Sequence, residues 1–159
     1  MTTRACPSCG RKGLAALRAG CEETITVAGV KFVARVPCER CSRCKETLVS
    51  AEALLRLELA AAHELLALGH RGGAVLRFAR KTLGLTGREL GQELGVAAET
   101  ISRWENDERD IDTHTLAVVA DLVRDRLAGT DETRTMLRAL RAPSPRGSTR
   151  EPIRLRAVG

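Results

Sequence analysis

Residues 85–107, LTGRELGQELGVAAETISRWEND, decide the fold of this chain. They read as two short helices joined by a tight turn at Gly95. Thr86 is placed to cap the first helix, and Glu89, three residues on, can reach back to the cap, which is a capping box. Leu90 and Leu94 share one face of that helix. Gly91 lies between them, and a glycine inside a helix costs about 1 kcal/mol relative to alanine unless another backbone must come close. The pattern therefore predicts the close approach of a second helix at this point. Gly95 suits a left-handed turn, and Val96, Ile101 and Trp104 give the second helix its inward anchors. Its outward face carries Glu99, Thr100 and Arg103. This is the pattern of a DNA-reading helix-turn-helix, and Arg103 is the side chain best fitted to a base, because an Arg fork can hold guanine O6 and N7 together.

The segment resembles the Cro-type (XRE-like) helix-turn-helix family, whose pattern runs LxxxLGxxxxxISxxE; Leu90, Leu94, Gly95, Ile101, Ser102 and Glu105 stand in those places. The resemblance extends from about Ala74 to Leu127, with a helix before (AVLRFARKTLGL) and one after (THTLAVVADLVRDRL). It implies that Ala98, Glu99, Thr100 and Arg103 face the major groove. Gly87 occupies a place where the family often has a Gln that touches phosphate, and Ala97 replaces a usual Ser or Thr cap.

The six cysteines are the second signal. The chain shows no apolar signal segment and no run near 18 apolar residues, so a cytoplasmic, reducing setting is expected, where paired cysteines more often hold metal than form disulfides. Cys6-Pro-Ser-Cys9 is one Cys-x-x-Cys hook, with Gly10 after it for a tight turn. Cys38, Cys41 and Cys44 are spaced so that either neighbouring pair forms the other. Cys41 and Cys44 are the preferred choice, which leaves Cys38 a bystander and Cys21 a plain small residue. Four thiolates at about 2.3 Å favour one tetrahedral structural zinc per chain. Between the hooks, Ile25 and Val27 alternate with polar residues up to a turn at Ala28-Gly29. Val30, Phe32, Ala34 and Val36 resume the alternation, with Lys31 and Arg35 on the other face and Val33 the one exception. Hook, hairpin and hook predict a zinc ribbon. Disulfide exchange would instead need a strand-to-helix setting with one activated thiol.

A ribbon, a helical connector and a Cro-type helix-turn-helix in this order are similar to the MqsA-like (YgiT-type zinc finger) antitoxin family, over roughly residues 1–128. Cys6, Cys9, Cys41 and Cys44 ahead of Ser102, Arg103 and Glu105 carry that match. The resemblance implies a dimeric repressor of its own operon that binds a double-stranded operator through one end and masks a protein toxin with the other. Glu99 stands where the family has a base-reading Asn. A carboxylate accepts from cytosine N4, so a different target sequence is expected. A stand-alone zinc-containing regulator and a Cys-x-x-Cys thiol oxidoreductase are the alternative functions.

The fold class expected is mainly α with a small β ribbon: a zinc ribbon over 1–49, a helical connector over 50–73, a helix-turn-helix bundle over 74–128, and a short helix with a disordered basic tail over 129–159. The ribbon is too small to build much core, so metal must substitute for burial. Charge is uneven along these parts. Residues 75–128 carry eight basic and ten acidic side chains, whereas 129–159 carry seven and three. Phosphate attraction must therefore come from local Arg placement, the tail or the ribbon. In the connector, Ser50 can cap and Gly69 can end a helix whose seam is Leu54, Leu57, Ala61, Leu65 and Leu68. Glu52, Arg56 and His63 fall on a polar stripe, and the charges argue against a membrane span. The seam packs either on one of the two domains or on a partner.

Overall fold

The computed structural model describes residues 4–143; the expectation for the basic tail beyond them lies outside the described residues. The N-terminal part holds five strands, β1 (Leu14–Ala16), β2 (Cys21–Val27), β3 (Val30–Val36), β4 (Cys38–Cys41) and β5 (Thr47–Val49). Strands β2 and β3 form the expected hairpin, with Val27 opposite Val30 and Ile25 opposite Phe32. Ala28 and Gly29 both take positive φ, 49° and 80°, which is the two-residue turn whose twist matches the flanking strands. Val33, the exception in the alternation, is 53% exposed.

The hairpin is a sheet by itself. A second, three-stranded sheet in the order β1-β4-β5 carries the cysteine hooks, and its antiparallel register sets Leu14 opposite Cys41 and Cys38 opposite Val49. Hook, hairpin and hook therefore omits half of the ribbon. Strands of three or four residues are too short to show a period of two, and the longest of them, CERC, runs from the supposed bystander Cys38 into the first cysteine of the second hook.

Six helices follow. Helix α1 (Ala51–Ala67) starts at Ser50, whose hydroxyl accepts from the Ala53 amide at 3.1 Å, and ends with Leu68 as its C-cap. Of the expected seam, Leu57, Ala61 and Leu65 are buried within the chain, while Leu54 and Leu68 stay exposed. Three residues off the seam, Ala53, Leu59 and Ala62, are buried as well. Leu59 and Ala62 belong to the helical core, whereas Ala53 and Leu57 cluster with Val36 and pack against Ile25, Ala34 and Val49 of the strands. One helix thus serves two cores.

The helical core is built from α1, α2 (Gly73–Thr82), α3 (Gly87–Leu94), α4 (Ala98–Glu105) and α5 (Thr113–Ala128), with α6 (Glu132–Arg141) laid against α5 and α3. Leu76, Leu90, Ile101, Val119 and Val123 are fully buried there. Burying side chains of this kind contributes roughly 1.5–3 kcal/mol each. Among the described residues, no helix is long and apolar enough to cross a membrane.

Candidate nucleic-acid interface and metal centre

The capping box is formed as the sequence predicts. The Glu89 amide donates to the Thr86 hydroxyl at 3.2 Å, and the Glu89 carboxylate accepts from the Thr86 amide and from its hydroxyl, each at 2.7 Å; the two bonds to the carboxylate hold it below its usual range. Gly95 ends α3 in the left-handed region at φ 72°. The close approach at Gly91 is to the turn itself: a Cβ there would meet the Val96 carbonyl at 2.7 Å, and the Val96 amide donates to the Gly91 carbonyl at 2.9 Å. The turn is clasped against α3, which fixes the direction in which α4 leaves.

Helix α4 buries Ile101 and Trp104 and turns its other face outward. Ala98, Glu99 and Arg103 are exposed and Thr100 is half-buried. Arg103 has no ion-pair partner among the described residues. Ala97 is the N-cap of α4 in extended conformation with no side-chain bond. A hydroxyl here can take an orphaned amide, so Ala97→Ser should raise stability by about 1 kcal/mol, read as a shift in the urea midpoint at unchanged slope.

The other end of α4 is tied down by residues whose pairing the sequence does not show. The Glu105 carboxylate accepts from Arg80 Nε at 2.6 Å and Nη2 at 3.0 Å, a two-point clamp, and also lies 3.3 Å from Arg77 Nε. Arg80 gives its remaining arm to the Leu85 carbonyl at 2.8 Å. The bond and charge of Glu105 raise the Arg80 guanidinium against the effect of burial. Gly73, at the start of α2, lies against the backbone of Trp104 and Glu105; an added Cβ would meet the Trp104 carbonyl at 2.7 Å. Spacing alone cannot pair residues 25 apart on different helices. The pattern position of Glu105 was the only signal.

The metal centre is built by a repeated backbone knuckle. In the first, the Gly10 amide donates to the Cys6 carbonyl at 2.8 Å and the Cys6 amide to the Arg11 carbonyl at 2.9 Å; in the second, Lys45 bonds the Cys41 carbonyl at 3.0 Å and Cys41 the Glu46 carbonyl at 2.9 Å. Lys45 takes the left-handed φ that Gly10 takes in the first. The knuckles face each other, and the sulfurs of Cys6, Cys9, Cys41 and Cys44 all lie within 4.8 Å of one another. Cys6 and Cys44 are 3.7 Å apart and Cys9 and Cys41 3.8 Å. A tetrahedron with about 2.3 Å metal–sulfur bonds has edges of about 3.8 Å, so the four cysteines are positioned to bind a metal ion.

The electrostatics agree. The amides of Cys44 and Arg43 hold the Cys41 thiol down at about 6. Burial opposes the same effect at Cys6, yet the amides of Cys9 and Ser8 still lower it. At Cys44 the Glu46 amide pulls downward, but burial and the three neighbouring sulfurs prevail and push the thiol up to about 12. Four sulfurs this close cannot all ionise unless a cation replaces their protons.

The remaining cysteines correct an expectation. Cys38 is no idle bystander and Cys21 no plain small residue, because the two form a disulfide. The hairpin register explains it. Cys21 lies opposite Val36, so Cys38, two residues further on, is carried past Pro37 to the neighbourhood of Cys21 as β4 begins. That signal was present in the sequence, since a turn at 28–29 fixes the register.

The helical part answers to a known family. Residues 76–123 match the Helix-turn-helix family. The matched segment runs from α2 to the C-terminal half of α5 and contains Glu99, Arg103 and Glu105, but not α1, α6 or the ribbon. A comparison with curated proteins finds no match. The segment supports a sequence-specific DNA-binding regulator.

Proposed function

We propose that this chain is a zinc-stabilised cytoplasmic repressor that reads a double-stranded operator through α4, acts as a homodimer, and serves as the antitoxin of a type II toxin–antitoxin pair rather than as an enzyme. The observation that carries the DNA reading is the arrangement of α4. Its reading face, with Ala98, Glu99, Thr100 and Arg103, is turned outward to different degrees, while Ile101, Trp104 and the Glu105 clamp fix it from behind. Arg103→Ala should weaken binding to the DNA upstream of the chain's own gene by about 1–3 kcal/mol while leaving binding to random duplex nearly unchanged. Equal losses on both would reduce Arg103 to a phosphate contact. A dimer should protect two half-sites about 34 Å, or a multiple of that, apart.

The antitoxin reading rests on the order of the modules and on a surface away from α4. A groove of about 450 Å³ runs between β3 and α1, walled by Ala34, Val36, Ala53 and Leu57 and edged by Arg35 and Arg56. It lies where the hairpin and the connector seam meet, the two surfaces open to a toxin. Co-expression with the neighbouring gene tests this. If its product does not co-purify while the chain still represses, a stand-alone regulator replaces the antitoxin. Thiol exchange is disfavoured because the two hooks close on one another instead of presenting one activated thiol at a helix start.

A further inference from the structure

The surface around α4 poses an electrostatic problem. Glu99 is exposed on the reading helix, and the loop that follows α4 exposes Asp107, Glu108 and Asp110 with only Arg109 among them. DNA is held largely through its phosphates, and these side chains repel it.

Helix α6 lies outside the matched family segment and adds to the positive charge of exposed Arg88 and Arg103. It is anchored by the Thr133 amide, which donates to the buried Asp125 carboxylate at 2.6 Å. Arg134, Arg138 and Arg141, spaced at i, i+4 and i+7, run along the side of α6 that meets α3. The first is matched by carboxylates, at 3.3 Å from Glu93 and 3.8 Å from Asp131. Arg138 shares Glu93 at 3.8 Å with its side chain 65% exposed. Arg141 has no carboxylate partner among the described residues. Its Nη1 donates to the Gln92 carbonyl near the end of α3, and its Nε lies 4.0 Å from where a Cβ of Gly95 would be.

Gly95 is three residues before Ala98, the first residue of α4. A guanidinium held there flanks the end of the reading helix that enters the groove, where the phosphates of the groove wall pass. We infer that Arg141, with Arg138 beside it, is a phosphate-binding element of this protein that offsets the acidic loop and seats α4 on double-stranded DNA. This rests on the DNA-binding reading given above.

The test uses the full chain and a 30-base-pair duplex of mixed sequence, so no operator need be known. Binding is followed by anisotropy between about 50 and 200 mM KCl, where each phosphate contact contributes about 0.9 to the slope of log K against log salt. Arg141→Ala should lower that slope by about 1, the pair Arg138→Ala with Arg141→Ala by more, and Arg141→Lys should keep it, with thermal melting as a parallel readout. A fall in melting temperature with an unchanged slope would make Arg141 only a cap for the α3 carbonyls and overturn the proposal. Wild-type chain that binds the duplex with a slope indifferent to both variants would overturn it too, leaving the DNA reading intact; wild-type chain that binds no duplex would overturn both.

Discussion

Removing the metal is expected to melt the N-terminal ribbon while the helical domain stays folded. The strands of the three-stranded sheet are three or four residues long, and beyond them the local apolar cluster has only Val36, Ala53 and Leu57 buried. That burial amounts to a few kcal/mol, whereas a structural zinc can contribute on the order of 10 kcal/mol of folding free energy at neutral pH. Cys6→Ser or Cys44→Ser, or a strong chelator, should therefore collapse the amide dispersion of residues in β1, β4 and β5. The hairpin should loosen less, because the Cys21–Cys38 bridge still closes its loop and constrains the unfolded chain by about 3 kcal/mol. Cys21→Ser should keep one metal per chain. A metal-free ribbon with native-like amide dispersion would sink the idea that the four thiolates hold it together.

Glu105→Ala should destabilise the helical domain and loosen α4 from α2. It leaves Arg80, whose side chain is 15% exposed, without the carboxylate that neutralises it, and removes the tie between α4 and α2. Breaking a buried pair costs about 3–5 kcal/mol. Here about 2–3 kcal/mol is expected, because Arg77 is half in solvent and Arg80 keeps the Leu85 carbonyl. Glu105→Gln keeps two acceptor positions in part and should cost less. Urea unfolding gives the loss, and operator affinity should fall with it as α4 loses its fixed direction. Equal stability of the two variants and the wild type would show that the clamp is solvated in solution.

What the sequence shows and what it hides follow the range of the interactions. The capping box, the left-handed Gly95, the anchors Ile101 and Trp104 and the hairpin turn are local, and each was legible within a few residues. So was the set of four metal-positioned cysteines, since hooks are short motifs. The pairing of Arg80 with Glu105, the seat of Gly73 on the α4 backbone and the docking of α6 on α3 join residues far apart in the chain, and composition has no means of expressing them. The Cys21–Cys38 bridge is an intermediate case. Its register is readable from the turn at 28–29, but paired cysteines in a reducing setting more often hold metal than form disulfides.

Helix α1 sets where this chain can be divided. A fragment beginning at Gly73 would retain every residue of α4 and its clamp, yet it would leave behind Leu59 and Ala62, which belong to the same core as Leu76 and Val119. A fragment ending at Val49 would strip Val36 of Ala53 and Leu57. The shortest helical fragment that keeps this core whole therefore begins at Ser50, and the ribbon needs that same helix. The two halves overlap in one element, so a swap of either half between related chains must carry α1 with it or rebuild the face it loses.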